Sequence, residues 1–274
     1  MILMMLLRQE ILKLKFENTE VWGFEHAIRG MRNPKNSWAQ SDSHWTFHCK
    51  MTPEGDFTDS SREYAIGPRD EKLMKTLIRS GPEHRKFMRQ IFVSVDITAP
   101  LYWWKEFDTY KVGTVANSTS TMHKLTSAPI TFDCFEMDDY DGDLAVDHVN
   151  KNMMLATDPD NKIIDGHWHI DEKWHRLVDW LEDLRQQVLI EKDPVKQKAY
   201  WKELVRMLPE AWLQKRTVTM NYENLLAICS KGQRRFHKLT EWSKSFIDWA
   251  RTLPYAQEFI FIDEVVDDER EQSK

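Results

Sequence analysis

The first candidates for chemistry in this sequence are three histidines that lie close together, His167, His169 and His175. Alternate residues of a strand share a face, and imidazole is a common zinc ligand. No cysteine or glutamate completes a recognised ligand spacing, and the surrounding sequence DGHWHIDEKWH is typical of a turn that enters a helix. The acidic stretch DDYDGD would place Met137 and His148 at the two ends of a calcium loop, where Asp and Glu are needed. We therefore expect no metal site.

Sequence patterns for nucleophilic catalysis and for phosphate-binding loops are absent. The chain contains no Gly-x-Ser-x-Gly elbow, no Gly-x-x-x-x-Gly-Lys-Ser/Thr loop and no Gly-x-Gly-x-x-Gly turn. Its three cysteines, Cys49, Cys134 and Cys229, are far apart, odd in number and without a Cys-x-x-Cys pair. That usage is typical of buried thiols in a reducing compartment, so we expect a cytoplasmic protein without a catalytic cysteine.

Composition excludes several classes of protein. The 274 residues include 38 basic and 44 acidic side chains, and the net charge of −6 argues against a general nucleic-acid binder. Charged residues make up 30% of the chain and the mean hydropathy is −0.61, which excludes a membrane protein. The apolar start MILMMLL lacks a positive region and a cleavage site, so we expect no signal peptide. Twelve Trp and thirteen Phe indicate a core or an interface built on large rings.

Hydrophobic spacing predicts the elements that would hold functional side chains. Alternating apolar residues indicate strands, and apolar residues spaced three and four apart indicate helices. The segment 29–43 is polar and too broken to predict as a helix. The predicted strands are 11–16 and 90–99, and the predicted helices are 70–79, 171–190, a stretch from Pro194 to just before Pro209, and one that begins near Asn221.

Three separated segments, taken together, resemble the flavin-dependent thymidylate synthases. The first, GPRDEKLMKTLIRSGPEHRKFMRQIFVSVDITAP (67–100), is similar to a family helix, a Gly-His-x-Ser-x-Phe-Glu-His stretch and a strand that ends in Ala-Pro. The second, WWKEFDTYKVGTVANSTSTMH (103–123), lies where the family has Arg-His-Arg-x-x-Ser-x-Asn-x-x-Ser-x-Arg-Tyr. The third, RMLPEAWLQKRTVTMNYENLLAICSKGQRR (206–235), is similar to the family's Arg-x-Leu-Pro and to a Thr-x-Asn that opens a helix ending on Arg. Order and spacing agree over roughly residues 60–250.

The resemblance implies roles for individual residues. Aligning Asn117 and Ser120 on the family's Asn-x-x-Ser puts Tyr110, Lys111 and Val112 at the Arg-His-Arg triplet, so two of eight fixed motif positions remain. The implied flavin-binding residues are His84, Lys111, Asn117 and Asn221; the implied nucleotide-binding residues are Ser120, Arg206 and either Lys231 or Arg234; and the implied catalytic residues are Ser120 and Lys111.

The same residue types also have purely structural interpretations. Asn221 is equally suited to cap a helix, Arg206 to be a solvated helix residue, and Ser120 to be a turn hydroxyl. It is the shared order of these residues along the chain that favours the functional interpretation.

The resemblance also implies a fold and a reaction. The expected fold is α+β, with a mainly antiparallel sheet flanked by helices, assembled as a homotetramer. We expect one domain over residues 1–262, with an insertion at about 133–170 and an acidic, disordered tail at 263–274. The implied reaction is flavin-dependent methylation of dUMP at C5 to dTMP, with bound FAD and with NADPH and methylenetetrahydrofolate as co-substrates. The partner is then a pyrimidine deoxynucleotide monophosphate, and neither a nucleic acid nor a membrane.

Two alternatives stay open. One is a divergent relative that makes another modification of a pyrimidine nucleotide. The altered motif favours it, as does the segment RGMRNPKNSW, whose Arg29, Arg32, Asn36 and Ser37 could reach a phosphate. The other is a nucleotide-binding protein that has lost the redox chemistry. Uracil and cytosine differ by one exocyclic group, so the base is not fixed by the sequence.

Overall fold

In a computed structural model of the chain, the residues described are 14–51, 57–137, 140–147, 167–234, 239 and 241–264. The predicted strand at 11–16 therefore lies mostly outside the described residues, as does nearly all of the predicted acidic tail. The described strands are β1 (Lys15–Trp22), β2 (His44–Met51), β3 (Phe57–Ala65), β4 (Phe92–Pro100), β5 (Val115–Ser118), β6 (Ala145–Asp147), β7 (His167–His169) and β8 (Leu213–Asn221).

Helices connect and flank these strands. Short 3-10 turns lie at Asn33–Lys35, Trp38–Gln40, Lys86–Gln90 and Phe132–Cys134, and a π-helical turn lies at Glu241–Phe246. The described α-helices are α1 (Phe24–Arg32), α2 (Pro68–Arg79), α3 (Leu101–Phe107), α4 (Thr121–Lys124), α5 (Ile170–Ile190), α6 (Pro194–Met207), α7 (Tyr222–Ile228), α8 (Lys231–Arg234), α9 (Ile247–Arg251) and α10 (Ala256–Phe259).

The chain divides into two compact units. The described part of the first, which we call the helical unit, contains Ala99–Tyr102 and Thr119–Gln214 and includes α5 and α6. The second, the sheet unit, contains Leu14–Thr98, Trp103–Ser118 and the described residues from 215 onward. The expectation of a single domain over residues 1–262 stays a prediction.

A four-stranded sheet in the order β1-β4-β8-β5 organises the sheet unit. Strand β1 pairs with β4, and β5 with β8, in antiparallel register. Side-chain hydrogen bonds between Ser94 and Thr219 (3.1 Å) and between Thr217 and Asp96 (2.6 Å) show that β4 and β8 are also antiparallel, because residue numbers increase along β4 while those of their partners decrease along β8. Strands β2 and β3 form a separate antiparallel hairpin. The expected mainly antiparallel sheet with flanking helices is confirmed.

The two faces of this sheet differ in polarity. Val93, Val95 and Ile97 of β4 are buried and alternate with half-buried Ser94 and Asp96. This alternation confirms the predicted strand and its apolar face, since successive side chains of a strand point to opposite sides. Strand β4 therefore turns one face to the core, and its opposite face carries the polar side chains of Ser94 and Asp96.

Large aromatic rings fill the core of the sheet unit, as the composition predicts. Trp103 and Trp104 of α3 are buried, and the Trp103 ring stacks on that of Trp242 with 4.5 Å between centroids. Phe107 and Phe246 complete the cluster. Offset aromatic stacks of this kind add about 0.5–1.5 kcal/mol per pair beyond the area that they bury.

Helices α5 and α6 pack against each other in the helical unit. The predicted apolar stripe of α5 is confirmed, with Leu181, Leu184 and Val188 buried. Asp193 caps α6 by accepting a hydrogen bond from the Val195 backbone N–H at 2.9 Å, and Pro194 takes the first helical position, as predicted. The cap fixes the start of α6, directly after the short turn that follows α5.

The predicted helices are confirmed as α2, α5, α6 and α7, but one expectation at the start of the chain is wrong. The segment 29–43 is not free of α-helix, because α1 extends to Arg32. The buried stripe of α1, which includes Phe24, Ala27, Ile28 and Met31, begins before the polar segment and continues into it. Of the strand predicted at 11–16, Lys15 and Phe16 belong to β1, which extends beyond the prediction to Trp22 with mostly exposed side chains.

Among the described residues, no helix combines the length and the apolar character that crossing a membrane requires.

Candidate functional site

The N-terminus of α7 is where two of the three motif segments meet. Asn221 caps this helix: its side chain accepts a hydrogen bond from the Asn224 backbone N–H at 3.0 Å, and the Asn224 side chain accepts one from the Asn221 N–H at 3.1 Å. The Asn224 amide also donates to the Val112 carbonyl at 2.6 Å. The backbone next to Lys111 is thereby fixed against the residue that the resemblance assigns to flavin binding.

Gly113 permits this close approach. Its φ of 81° lies in the left-handed region, which favours glycine. A Cβ atom at this position would lie 2.8 Å from Asn221 Nδ2 and 2.9 Å from Asn224 Oδ1. Both the backbone conformation and the lack of space therefore require glycine here.

Ion pairs to a carboxylate connect the first motif segment, residues 67–100, to α7. Glu223, in the first turn of the helix, pairs with Arg85 Nε at 3.2 Å and with Arg89. Burial acts to raise the pKa of Glu223, but the hydrogen bonds from Arg89 and Arg85 outweigh it and leave the pKa below its usual value. Glu223 is therefore ionised at neutral pH and ties the segment that contains His84 to the N-terminus of α7.

His84 lines a cavity of about 550 Å³, which we call the α1–α2 cavity. Its floor is apolar and includes Met31, Leu77 and Phe87. Among the described residues, the exposed His84 ring has no hydrogen-bond or ion-pair partner. A volume between about 300 and 1,000 Å³ with an apolar lining and a few polar groups is typical of small-molecule sites.

The degenerate motif, residues 110–123, begins just before the edge strand β5 and continues beyond its end. Lys111 is exposed, and Val112, which the resemblance aligns with a family arginine, is 88% exposed. Asn117 lies on β5 opposite Thr217 and is exposed. Burial, followed by the charge of Glu106, raises the pKa of Tyr110, so this phenol stays neutral. The motif thus presents one cation and one amide to solvent, and no guanidinium.

Two predicted site residues belong to the helical unit. Ser120 caps α4, with its hydroxyl accepting a hydrogen bond from the His123 backbone N–H at 3.1 Å. Arg206 lies near the end of α6, is 58% exposed, and pairs with Glu203 at 3.1 Å. The observed contacts therefore match the structural interpretations, in which Ser120 is a turn hydroxyl and Arg206 is a solvated helix residue. The nucleotide-binding roles of these two residues stay predictions.

The alternative cations follow α7 in the sheet unit. Lys231 is exposed at the start of α8, and Arg234 is the last residue of that helix, with its side chain outside the described part. The structure therefore places His84, Lys111, Asn117, Asn221, Lys231 and Arg234 in the sheet unit and Ser120 and Arg206 in the helical unit.

The hypothesis that Arg32 reaches a phosphate is wrong. Arg32 is 4% exposed and its Nε donates to Asp70 Oδ1 at 2.5 Å. Burial acts to raise the pKa of Asp70, but hydrogen bonds from Ser41, Ser43 and Arg32 lower it below the usual value. The charge of the buried Arg32 is balanced by the Asp70 carboxylate, so Arg32 is not available to bind a phosphate.

Sequence analysis missed several residues that shape this region. Arg85, Arg89 and Glu223 form an ion-pair cluster between segments 134 to 138 residues apart, which no local pattern encodes. The Asn221 and Asn224 pair carries a signal that could have been used, since hydrogen-bonding residues at the cap and third helical positions indicate a capping box. Gly113 had a weaker signal, as a lone glycine within the second motif segment.

No protein-family model matches the sequence, and no curated protein matches it. Solved structures do match. Over 92% of this chain and 99% of the other, the chain is similar to the flavin-dependent thymidylate synthase ThyX from Helicobacter pylori complexed with FAD and dUMP, at 13% identity and a TM-score of 0.53. A second structure of ThyX from Helicobacter pylori with FAD and dUMP matches 92% of this chain and 97% of the other at 13% identity and a TM-score of 0.54.

A UMP/dUMP methylase, PolB from Streptomyces cacaoi bound with 5-Br UMP, matches over 92% of this chain and 98% of the other at 12% identity and a TM-score of 0.50. At these identities the likeness concerns the fold. The chain has the fold of the flavin-dependent thymidylate synthases, which confirms the predicted fold class.

Proposed function

We propose that this protein methylates a pyrimidine nucleotide at C5, converting dUMP to dTMP with bound FAD, and with methylenetetrahydrofolate and NADPH as co-substrates. The observation that carries the proposal is the meeting of the motif segments at the N-terminus of α7. Asn224 holds the backbone beside Lys111, and Glu223 holds the segment of His84. The proposal is supported by the likeness in fold to two structures of ThyX that are complexed with FAD and dUMP.

The residues of this region fit a flavin nucleotide. The α1–α2 cavity offers an apolar floor for a ring and an unpaired imidazole, His84, at its rim. The close approach of Gly113 to the Asn221 and Asn224 side chains fixes the position of the backbone beside Lys111. We propose His84, Lys111, Asn117 and Asn221 as the residues that hold FAD. When bound, FAD would supply the hydride for reduction of the transferred carbon.

The proposed nucleotide site draws on both charged and hydroxyl side chains. Ser120 would face the pyrimidine ring, where its hydroxyl hydrogen is free to donate while its oxygen accepts the bond from His123. Arg206 and either Lys231 or Arg234 would bind the phosphate, whose charge of nearly two suits two cations. Lys111 would polarise the base as a point charge, because an ammonium cannot reproduce a bidentate guanidinium.

We further propose that the active form is a cytoplasmic homotetramer that acts on the free nucleotide and not on nucleic acid. In the flavin-dependent thymidylate synthases that the sequence resembles, sites are built where subunits meet, so assembly would be required for activity. A particle mass near four times 32.7 kDa by light scattering is the expected result. A monomer at micromolar concentration would contradict this part of the proposal.

The direct test of the reaction is product analysis. Purified protein is incubated with FAD, NADPH, methylenetetrahydrofolate and dUMP, and dTMP is measured by mass spectrometry; dCMP and UMP are run in parallel to identify the base. Lys111→Ala should reduce product formation strongly. Lys202→Ala, a substitution of an exposed lysine on α6 that has no proposed role, should leave it unchanged.

A second function is favoured by one observation. Val112 is 88% exposed where the family has an arginine, so a guanidinium that would polarise the base is missing. A protein of this kind could bind the nucleotide and have lost the redox reaction. Binding of dUMP without FAD uptake or product would support this second function and contradict the first.

A further inference from the structure

The hairpin of β2 and β3 presents two aromatic rings and a cation on one face. Trp45 lies opposite Tyr64 and Phe47 lies opposite Arg62, and alternate residues of a strand share a face. The Trp45 and Tyr64 rings meet edge to face with 5.3 Å between centroids. The guanidinium carbon of Arg62 lies 4.6 Å from the centre of the Trp45 ring. Trp45 therefore carries a guanidinium on one of its faces.

This face of the hairpin borders a cavity of about 550 Å³ within the sheet unit, which we call the hairpin cavity. Its floor includes the buried Phe24, whose ring meets that of Tyr255 edge to face at 5.4 Å. The Tyr255 hydroxyl donates to the Tyr64 carbonyl at 2.9 Å, which holds β3 beside the floor. The residues that line the hairpin cavity lie outside the three motif segments. The hairpin cavity therefore shares no residue with the proposed flavin and nucleotide sites.

Two opposite charges line the hairpin cavity without forming an ion pair with each other. The Trp45 Nε1–H donates to Glu25 Oε2 at 3.2 Å, so this carboxylate lies at the edge of the ring whose face carries Arg62. Within the described residues, neither Glu25 nor Arg62 has an ion-pair partner. Glu63 also borders the cavity, but alternation places its side chain on the other face of β3, 3.9 Å from His48. The cavity thus offers one anion and one cation to a ligand.

Aromatic rings form much of the remaining lining. Trp22 is 45% exposed, and its ring stacks on that of Phe92 on one side, with 5.8 Å between centroids. Together with Trp45 and Tyr64, Trp22 gives the hairpin cavity flat apolar surfaces against which another ring can pack. The volume is in the range of small-molecule sites. A ligand that matches these features has an aromatic ring, one positive group and one negative group.

We propose that the hairpin cavity binds a free aromatic α-amino acid as its zwitterion. Glu25 accepts hydrogen bonds from the α-ammonium group, Arg62 donates to the α-carboxylate, and the aromatic side chain packs against Trp22. Such a ligand is neutral as a whole, so it balances both protein charges. A nucleotide phosphate would leave Glu25 facing further negative charge, and a simple amine would leave Arg62 unbalanced. The proposal does not depend on the proposed function, because the two use different residues.

The experiment removes each charge of the ligand and of the cavity in turn. L-Tryptophan, tryptophanamide, which lacks the carboxylate, and N-acetyltryptophan, which lacks the ammonium group, are titrated by calorimetry into wild type, Glu25→Gln and Arg62→Ala. Glu25→Gln should weaken binding of L-tryptophan and tryptophanamide about tenfold, and that of N-acetyltryptophan less than about twofold. Arg62→Ala should weaken binding of L-tryptophan and N-acetyltryptophan about tenfold, and that of tryptophanamide less than about twofold.

Matched variants and a small ligand are the controls. Glu20→Gln on β1 and Arg79→Ala on α2 change exposed residues that line neither the hairpin cavity nor the α1–α2 cavity, so both should match wild type. Glu25→Gln keeps an oxygen that can accept from Trp45, and Arg62 is exposed, so both test variants should fold, which thermal melts check. L-Alanine, which has no ring, should bind at least about tenfold more weakly than L-tryptophan.

The wild-type titrations decide the proposal even where a variant is unstable. Tighter binding of L-tryptophan than of either analogue and of L-alanine supports a zwitterion site. The proposal is overturned if L-tryptophan does not bind at millimolar concentration, or if both analogues bind as tightly as L-tryptophan does. It is also overturned if folded Glu25→Gln and Arg62→Ala change the binding of all three ligands equally or not at all. Because no FAD or dUMP is added, these results are independent of whether the proposed function is correct.

Discussion

Substituting Gly113 tests how the motif segment is attached to the N-terminus of α7. Gly113→Ala places a Cβ atom 2.8 Å from Asn221 Nδ2 and 2.9 Å from Asn224 Oδ1, and forces alanine into a φ of 81°. The left-handed backbone costs a residue with a side chain about 1–2 kcal/mol. Displacing the cap costs about 1 kcal/mol more. We expect the free energy of unfolding to fall by about 2–3 kcal/mol.

Two other glycines separate these contributions. Gly81 has a φ of 104°, but no atom of the described residues lies within 4 Å of a Cβ placed there, so Gly81→Ala should lose only the backbone contribution of about 1–2 kcal/mol. Gly232, in α8, lacks a positive φ and has no close neighbour in the described part of the chain, so Gly232→Ala should be neutral or stabilising by up to about 1 kcal/mol. Urea unfolding of the three variants measures the differences.

A functional measurement on the same variants completes the test. Because Gly113→Ala shifts the backbone next to Lys111, FAD binding should weaken, while Gly232→Ala should bind FAD as wild type does. The reasoning is refuted if Gly113→Ala is no less stable than Gly81→Ala and binds FAD with unchanged affinity. In that case the contact between Gly113 and the cap neither limits the fold nor positions the motif.

Three further predictions concern the helical unit. Ser120→Ala should reduce turnover while costing only about 0.5–2 kcal/mol of stability through loss of the α4 cap; unchanged turnover would remove Ser120 from the site. Arg206→Ala should weaken binding of dUMP about ten- to a hundredfold and leave deoxyuridine binding nearly unchanged by calorimetry, and equal losses would show that Arg206 is structural. The paired hydrogen bonds from Arg185 lower the pKa of Glu182 to about 2, so up to about 3 kcal/mol of stability, present above about pH 4.5, should be lost as the pH falls toward 2. Glu182→Gln should remove that acid dependence, and an unchanged pH profile of unfolding would contradict the assignment.

The elements that were predicted correctly are those whose apolar residues repeat along a single face. Helix α5 and strand β4 bury one face and expose the other, so their sequences carry the period of 3.6 or of 2. Strand β1 exposes most of its side chains and contains a register shift near Asn18, so little alternation marks it. Helix α1 was missed because its polar last turn falls in a segment that continues into 3-10 turns.

The site could be predicted only where the residues of a motif or of a helix cap lie close together in the sequence. Asn221 stands out in the sequence as the start of a helix, and the structure makes it part of a capping box. The pairing of Arg32 with Asp70, 38 residues apart, depends on how α1 and α2 pack and has no counterpart in local sequence. The same is true of Glu223 and its two arginines. Long-range ion pairs of this kind decide which cations are neutralised within the fold.

The proposed function depends on flavin binding in the sheet unit. Flavin binding is measured by the absorption spectrum of the purified protein after incubation with FAD and removal of free cofactor. We expect a yellow protein with a flavin spectrum, stoichiometric FAD on release by denaturation, and reduced retention in Gly113→Ala but not in Lys202→Ala. A colourless protein that retains no FAD under these conditions would contradict the proposed function.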